Sequence, residues 1–176
     1  MIVSVGEHNY LAIPRGGIAD LHLILCPIDC VPSRVHLSVE AKAEQQKFYT
    51  SIQSLFAAEH FAMLTFERAI RTKNSRDHVQ VHFVPVSMSR INCVQTVFDE
   101  LSAKHNIRFV EISAEQTVEE AVLTMDGGPY QEYFYVELPA GVKDDGSVFI
   151  SKKVFVQEQD SSRFPMFFGN EVRFVF

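Results

Sequence analysis

The sequence predicts an α+β domain, an antiparallel sheet with one long helix across it, followed by a C-terminal extension of a strand hairpin and a short helix. Three observations carry this prediction. Short β-prone runs punctuated by Gly and Pro turn signals open the chain. An apolar stripe at helical spacing then runs from Ser38 to about Phe61. Last, Asp126-Gly127-Gly128-Pro129, the strongest break in the chain, precedes two further strand-like runs.

Taken in order, Ile2 to Val5, Tyr10 to Ile13 and His22 to Cys26 read as strands, separated by Gly6-Glu7 and Pro14-Arg15-Gly16-Gly17. Ser38 is placed to cap the long helix, with Glu40 in its favourable first turn. Val39, Ala43, Phe48, Ile52, Leu55 and Phe56 supply its apolar face. Ala62 to Glu67 reads as a buried strand, Arg68 to Asp77 as a polar loop, and His78 to Val86 as an alternating strand. Val94, Val97, Phe98 and Leu101 repeat at i, i+3, i+4 and i+7, which predicts a helix over Ile91 to His105 capped by Asn106. Ile107 to Ile112 is a further strand and Thr117 to Met125 a short helix. Beyond the break, Tyr133 to Leu138 and Ser147 to Val154 form strands joined by Lys143-Asp144-Asp145-Gly146. The last segment, Phe164 to Phe176, carries Pro165 at a first helical position.

A chain of 176 residues supports a sizeable core without staples. Its 47% hydrophobic and 22% charged content is ordinary for a globular domain, although fifteen phenylalanines are many. A formal net charge of -6 argues against coating nucleic acid by bulk electrostatics, but leaves room for a local basic pocket. Cys26, Cys30 and Cys93 form no disulfide pattern, which suits a reducing compartment. No apolar run reaches the ~20 residues of a membrane helix, and the first residues do not read as a signal peptide. A soluble intracellular protein is expected.

The stretch that carries chemistry is His78-Val79-Gln80-Val81-His82-Phe83-Val84-Pro85. In a strand, His78, Gln80 and His82 share one face, ~6.5–7 Å apart, and Val79, Val81 and Phe83 share the other. Such a polar row is able to line a shallow phosphate or nucleotide site. Just before it, Arg68, Arg71, Lys73 and Arg76 place four cations in nine residues, enough to hold an RNA backbone. The plainer alternatives are histidines bonded to a neighbouring loop, and a solvated charged loop.

His-φ-Gln-φ-His-φ-φ resembles the histidine-triad motif His-φ-His-φ-His-φ-φ, and the preceding elements follow the order of that superfamily (HIT-like). There the middle histidine attacks phosphorus and holds the nucleotide covalently. Gln80 stands at that position here. A carboxamide nitrogen is delocalised and not usefully basic, and loss of a covalent nucleophile commonly costs on the order of 10⁶ in rate. No catalytic residue and no cofactor are therefore expected, and the chain reads as a pseudoenzyme.

The closer resemblance is to the C-terminal region of the CwfJ family. It rests on Ile2-Val3-Ser4-Val5-Gly6-Glu7-His8-Asn9-Tyr10-Leu11, on His22-Leu23-Ile24-Leu25-Cys26-Pro27-Ile28 and on Phe66-Glu67-Arg68 followed by the His78 stretch. Tyr133-Phe134-Tyr135-Val136-Glu137-Leu138 and Phe164-Pro165-x-x-Phe168-Gly169-x-Glu171 resemble the family's second region. Two positions depart from the pattern: Cys30 stands where relatives place a histidine, and Ala69 where an Asn is frequent.

The resemblance implies a HIT-like domain over 1–125 and a second CwfJ-type region over 126–176 packed on it, shortened at its C-terminus. It implies nuclear RNA processing: pre-mRNA splicing or intron-lariat turnover, with lariat or splicing RNA, the lariat-debranching enzyme or spliceosomal proteins as partners. His78, Gln80, His82, Arg68, Arg71, Lys73, Ser75 and Arg76 are the expected phosphate or RNA contacts, Ser75 by analogy with a hydroxyl that HIT nucleotide binders place on phosphate. Two alternatives stand beside this reading. One is a protein-interaction module with a relic pocket, and the other an active hydrolase or transferase using His78 or His82 in a shifted role. Zinc on His22, Cys26 and Cys30 lacks a second ligand pair at suitable spacing, so no metal is expected.

Overall fold

The computed structural model describes residues 1–70, 78–124, 128–157 and 164–171. Eight strands form one sheet: β1 (Ile2–Val5), β2 (Asn9–Ala12), β3 (Leu23–Pro27), β4 (Phe61–Ala69), β5 (Val81–Ser87), β6 (Val110–Ile112), β7 (Tyr133–Val142) and β8 (Val148–Val156). Their order across the sheet is β1-β2-β3-β5-β4-β7-β8-β6, with every neighbouring pair antiparallel. The fold is the expected α+β arrangement with a long helix across the sheet, and the β7–β8 hairpin joins that sheet through β4. Among the described residues, no helix is long and apolar enough to cross a membrane.

The long helix α1 (Val39–Ala58) begins where Ser38 Oγ accepts the Ala41 N–H at 3.1 Å. It stops three residues earlier than the periodicity suggests. His60 takes a left-handed backbone (φ 60°), and Phe61 already starts β4. On the covered face, Ile52 and Phe56 meet Leu11, Leu23, Leu25, Met63, Val81 and Phe83. These are odd positions of β2, β3, β4 and β5, as period-two alternation requires.

The opposite face carries α2 (Ile91–Lys104). Asn106, at φ 54°, closes it: Ile107 N–H reaches Ser102 O at 2.8 Å and Asn106 N–H reaches Ala103 O at 3.0 Å. The strand expected from Ile107 begins only at Val110, because Ile107 is committed to this cap and Phe109 to the aromatic core. That core joins Phe98, Phe134, Phe164 and Phe168 to the even positions of β4 and β5. Burying each such ring contributes ~2–3 kcal/mol.

Helix α3 (Val118–Thr124) lies on the α1 side, where Val118 and Val122 pack on Tyr133, Tyr135 and Val154. Strand β7 is therefore covered on both sides, with Tyr133, Phe134 and Tyr135 all at most 1% exposed. Neither face of that segment is wet, although Tyr133 and Tyr135 alone would suit a half-buried strand. At the C-terminal end a turn, in which Phe168 N–H bonds Pro165 O at 3.3 Å, precedes α4 (Phe168–Glu171); Pro165 thus lies ahead of the helix rather than at its first position. Cys26 is buried, whereas Cys93 is exposed, because α2 turns it away from the core.

Candidate functional site

The site grows out of the pairing of β3, β5 and β4. Register sets His82 of β5 beside Ile24 of β3 and Phe66 of β4. Cross-strand partners share a face, so the His82 ring lies flat on Phe66, with centroids 4.3 Å apart and planes 8° from parallel. Phe66 in turn stacks against Phe134 at 5.8 Å. Two residues before Ile24, and hence on the same side, His22 reaches His82: Nε2 and Nδ1 are 3.0 Å apart.

A second hydrogen bond determines which nitrogen holds the proton. The Ile18 backbone N–H can only donate, and it points at His22 Nδ1 at 3.1 Å. His22 therefore carries its proton on Nε2 and donates to His82 Nδ1, which leaves His82 with an Nε2–H. Burial keeps both rings neutral. It lowers His22 to about 4, and burial together with the neighbouring His22 lowers His82 to about 3. His82 is thus an oriented, uncharged hydrogen-bond donor. Its Nδ1 lone pair is taken, which counts against its use as a nucleophile.

The remaining expected contacts are only partly gathered here. Strand β5 begins at Val81, not His78. The His78 Nε2–H donates to the Pro27 carbonyl at 2.9 Å, and the Val79 N–H bonds Val31 O at 2.8 Å. Residues 78–80 are held against the loop after β3 instead of extending the ladder with β4. His78 is consequently committed to a structural bond. Gln80 is exposed and lies just before the first ladder pair of β5, Val81 with Glu67. Arg68 belongs to β4 rather than to a loop, and donates from Nη1 to Ile70 O at 2.7 Å. Arg71, Lys73, Ser75 and Arg76 lie outside the described residues. Sequence reasoning missed His22 as a member of the site. The signal was its place two residues before Ile24, on a strand that pairs with the triad strand.

A sequence model of the family described as protein similar to CwfJ C-terminal matches residues 1–99, more than half of the chain. The chain belongs to this CwfJ C-terminal family. It is 29% identical over 174 residues to CWF19-like protein 1 of Mus musculus, covering 98% of this chain and 28% of that protein. It is 28% identical over 172 residues to CWF19-like protein 1 of Homo sapiens, with the same coverage. Zinc finger CCCH domain-containing protein 64 of Arabidopsis thaliana is 28% identical over 180 residues, covering 98% of this chain and 27% of that protein. The chain spans little more than a quarter of the length of these relatives.

The other face of this family member's sheet carries a polar cluster that the sequence did not announce. Glu67, 0% exposed, accepts the Tyr133 hydroxyl at 2.6 Å and the Arg34 N–H at 3.2 Å on Oε1. Its Oε2 lies 3.9 Å from Arg34 Nε and makes no hydrogen bond. Two strand positions away, Glu137 accepts hydroxyl bonds from Tyr49 and Tyr135. Burial pushes Glu67 above the usual carboxylate range, against the pull of Arg34 and Tyr133. Burial works against the Arg34 cation, but Glu67, Glu119 and Glu137 outweigh it and raise its pKa. Alternating strands make such a cluster invisible one segment at a time, because its members come from β4, β7, α1 and the turn Arg34–His36. Among the described residues, no group of three or more His, Cys, Asp or Glu is placed to hold a metal ion.

Proposed function

We propose that this chain is a non-catalytic HIT-like module that binds RNA through its phosphates, in pre-mRNA splicing or intron-lariat turnover in the nucleus, alongside spliceosomal proteins or the lariat-debranching enzyme. The observation that carries the reading is the His22–His82 relay. It gives the strand that resembles the histidine-triad motif one oriented, neutral N–H, and Arg68 lies two residues along β4 from the Phe66 on which that ring stacks. With Gln80 at the attacking position and the His82 lone pair engaged, the site has donors for a phosphate and lacks an activated nucleophile. The place in splicing or lariat metabolism rests on membership of the CwfJ family and on the likeness to the CWF19-like proteins.

The test is binding of short single-stranded and branched RNA to the purified chain at two salt concentrations, with a His82→Ala/Arg68→Ala double variant as control. The reading expects wild-type binding that weakens with salt, by ~0.7 in log K per log salt for each phosphate neutralised, and loss of most of it in the double variant. Binding that is unchanged in the variant would remove the site from the account, and no binding by the wild type would favour a protein-docking module.

A further inference from the structure

Phe168-Gly169-x-Glu171, a motif of the C-terminal segment, has no role in the site as described so far, yet each of its three named residues makes a specific contact. Phe168, 0% exposed, meets Phe98, Phe134 and Phe164 edge-on or tilted. Glu171 bonds His105 Nε2 at 3.0 Å, with Lys104 Nζ at 3.5 Å, which ties α4 to the end of α2. Between them Gly169 lies against the Phe66 ring. A Cβ there would come within 2.6 Å of Phe66 Cε2 and 2.8 Å of Cζ, closer than carbon atoms approach. The backbone at Gly169 is held from both sides by its neighbours, and Phe66 is buried with its face on His82. Added bulk at position 169 therefore has one outlet, displacement of the Phe66 ring.

We propose that Gly169 is a positioning residue for the phosphate site: by its close approach to Phe66 it sets the plane and depth of the His82 ring, so that the C-terminal segment completes a site built by the first five strands. The proposal rests on the phosphate-binding reading for its functional consequence, but the positioning itself does not. The contacts run in sequence from Gly169 to Phe66, His82, His22 and the Ile18 amide. The far end is also tight, though less so, since a Cβ at Gly17 would lie 3.3 Å from His22 Cβ. A ring trapped between such contacts moves only if one of them gives.

The experiment uses the full chain labelled with ¹⁵N. Long-range ¹H–¹⁵N correlation spectra report which imidazole nitrogen carries the proton, and anisotropy reports binding of a short single-stranded RNA at fixed salt. Gly169→Ala raises intrinsic helix propensity, so a local backbone effect would stabilise α4 and leave the imidazoles alone. Instead, Gly169→Ala and Phe66→Leu should each shift the His22 and His82 signals from their Nε2–H pattern and weaken RNA binding roughly tenfold, as expected for a donor displaced by a fraction of an ångström to ~1 Å. Met166→Ala, at a residue 58% exposed on the same segment, should change neither. Unaltered imidazole signals in both Gly169→Ala and Phe66→Leu would overturn the proposal. If the wild type binds no RNA, the functional reading falls and the imidazole spectra still decide the positioning.

Discussion

Lowering the pH from 7 to 5 should destabilise this protein chiefly through His22 and His82. Both rings titrate well below the ordinary value of 6.5, at about 4 and about 3. In the unfolded chain both take up protons as the pH falls through 6.5, whereas the folded pair stays neutral. The unfolded state then binds more protons, so stability is full above about pH 6.5 and declines as the pH drops toward the folded values. At pH 5 each imidazole contributes a loss of ~2 kcal/mol, and the pair ~4 kcal/mol, at ~1.4 kcal/mol per pKa unit. For a chain of this size that is a fall of roughly 8–16 °C in Tm. The isolating perturbation is His82→Gln. Its carboxamide oxygen still accepts from His22 Nε2–H but does not titrate, which leaves one buried imidazole and about half the loss. Urea unfolding at pH 7, 6 and 5 on both proteins measures the difference. Equal pH dependence in wild type and variant, or none in the wild type, would refute the assignment of a neutral buried pair.

Other outcomes follow from the same geometry. Arg34→Met should cost ~3 kcal/mol at pH 7 by leaving the buried Glu67 carboxylate without its cation. The cost should shrink as the pH falls, because Glu67, raised by burial, protonates ahead of an ordinary carboxylate and then no longer needs the cation; urea midpoints at pH 7 and 5 measure this. Gln80→His should not create a nucleotide hydrolase, since position 80 is exposed and lies outside β5, where no relay orients a new ring. Appearance of a covalent nucleotidyl adduct by mass spectrometry would contradict that.

Most of the fold was legible because its signals are local. Ser38 capping, the i, i+3, i+4, i+7 stripe of Val94 to Leu101 and the turn at Lys143 to Gly146 each specify their element within a few residues. The errors occur where a distant partner decides. Alternation made His78 to Gln80 part of a strand, but the Pro27 and Val31 carbonyls, some fifty residues upstream, claim His78 and Val79 first. Nothing in the segment of Tyr133 and Tyr135 shows that α3 and α1 close over them. The site divides in the same way. His82 was visible in its motif, but His22 becomes a partner only through the β3–β5 register, which no single segment encodes.

The same register bears on what became of the attacking position. A histidine-triad nucleophile needs a ring that is both basic and aimed, and aim comes from a neighbour that fixes its tautomer. In this chain the aiming apparatus of Ile18, His22 and His82 is intact, but it ends on a proton rather than a lone pair. Position 80 carries a carboxamide and lies outside the ladder with β4. A ring kept neutral and aimed in this way supplies a fixed donor and no base, and the burial of His22 at 2% exposure is offset by its two hydrogen bonds. The proposed phosphate-holding role would draw on both features, a donor that is aimed and a ring that is not basic.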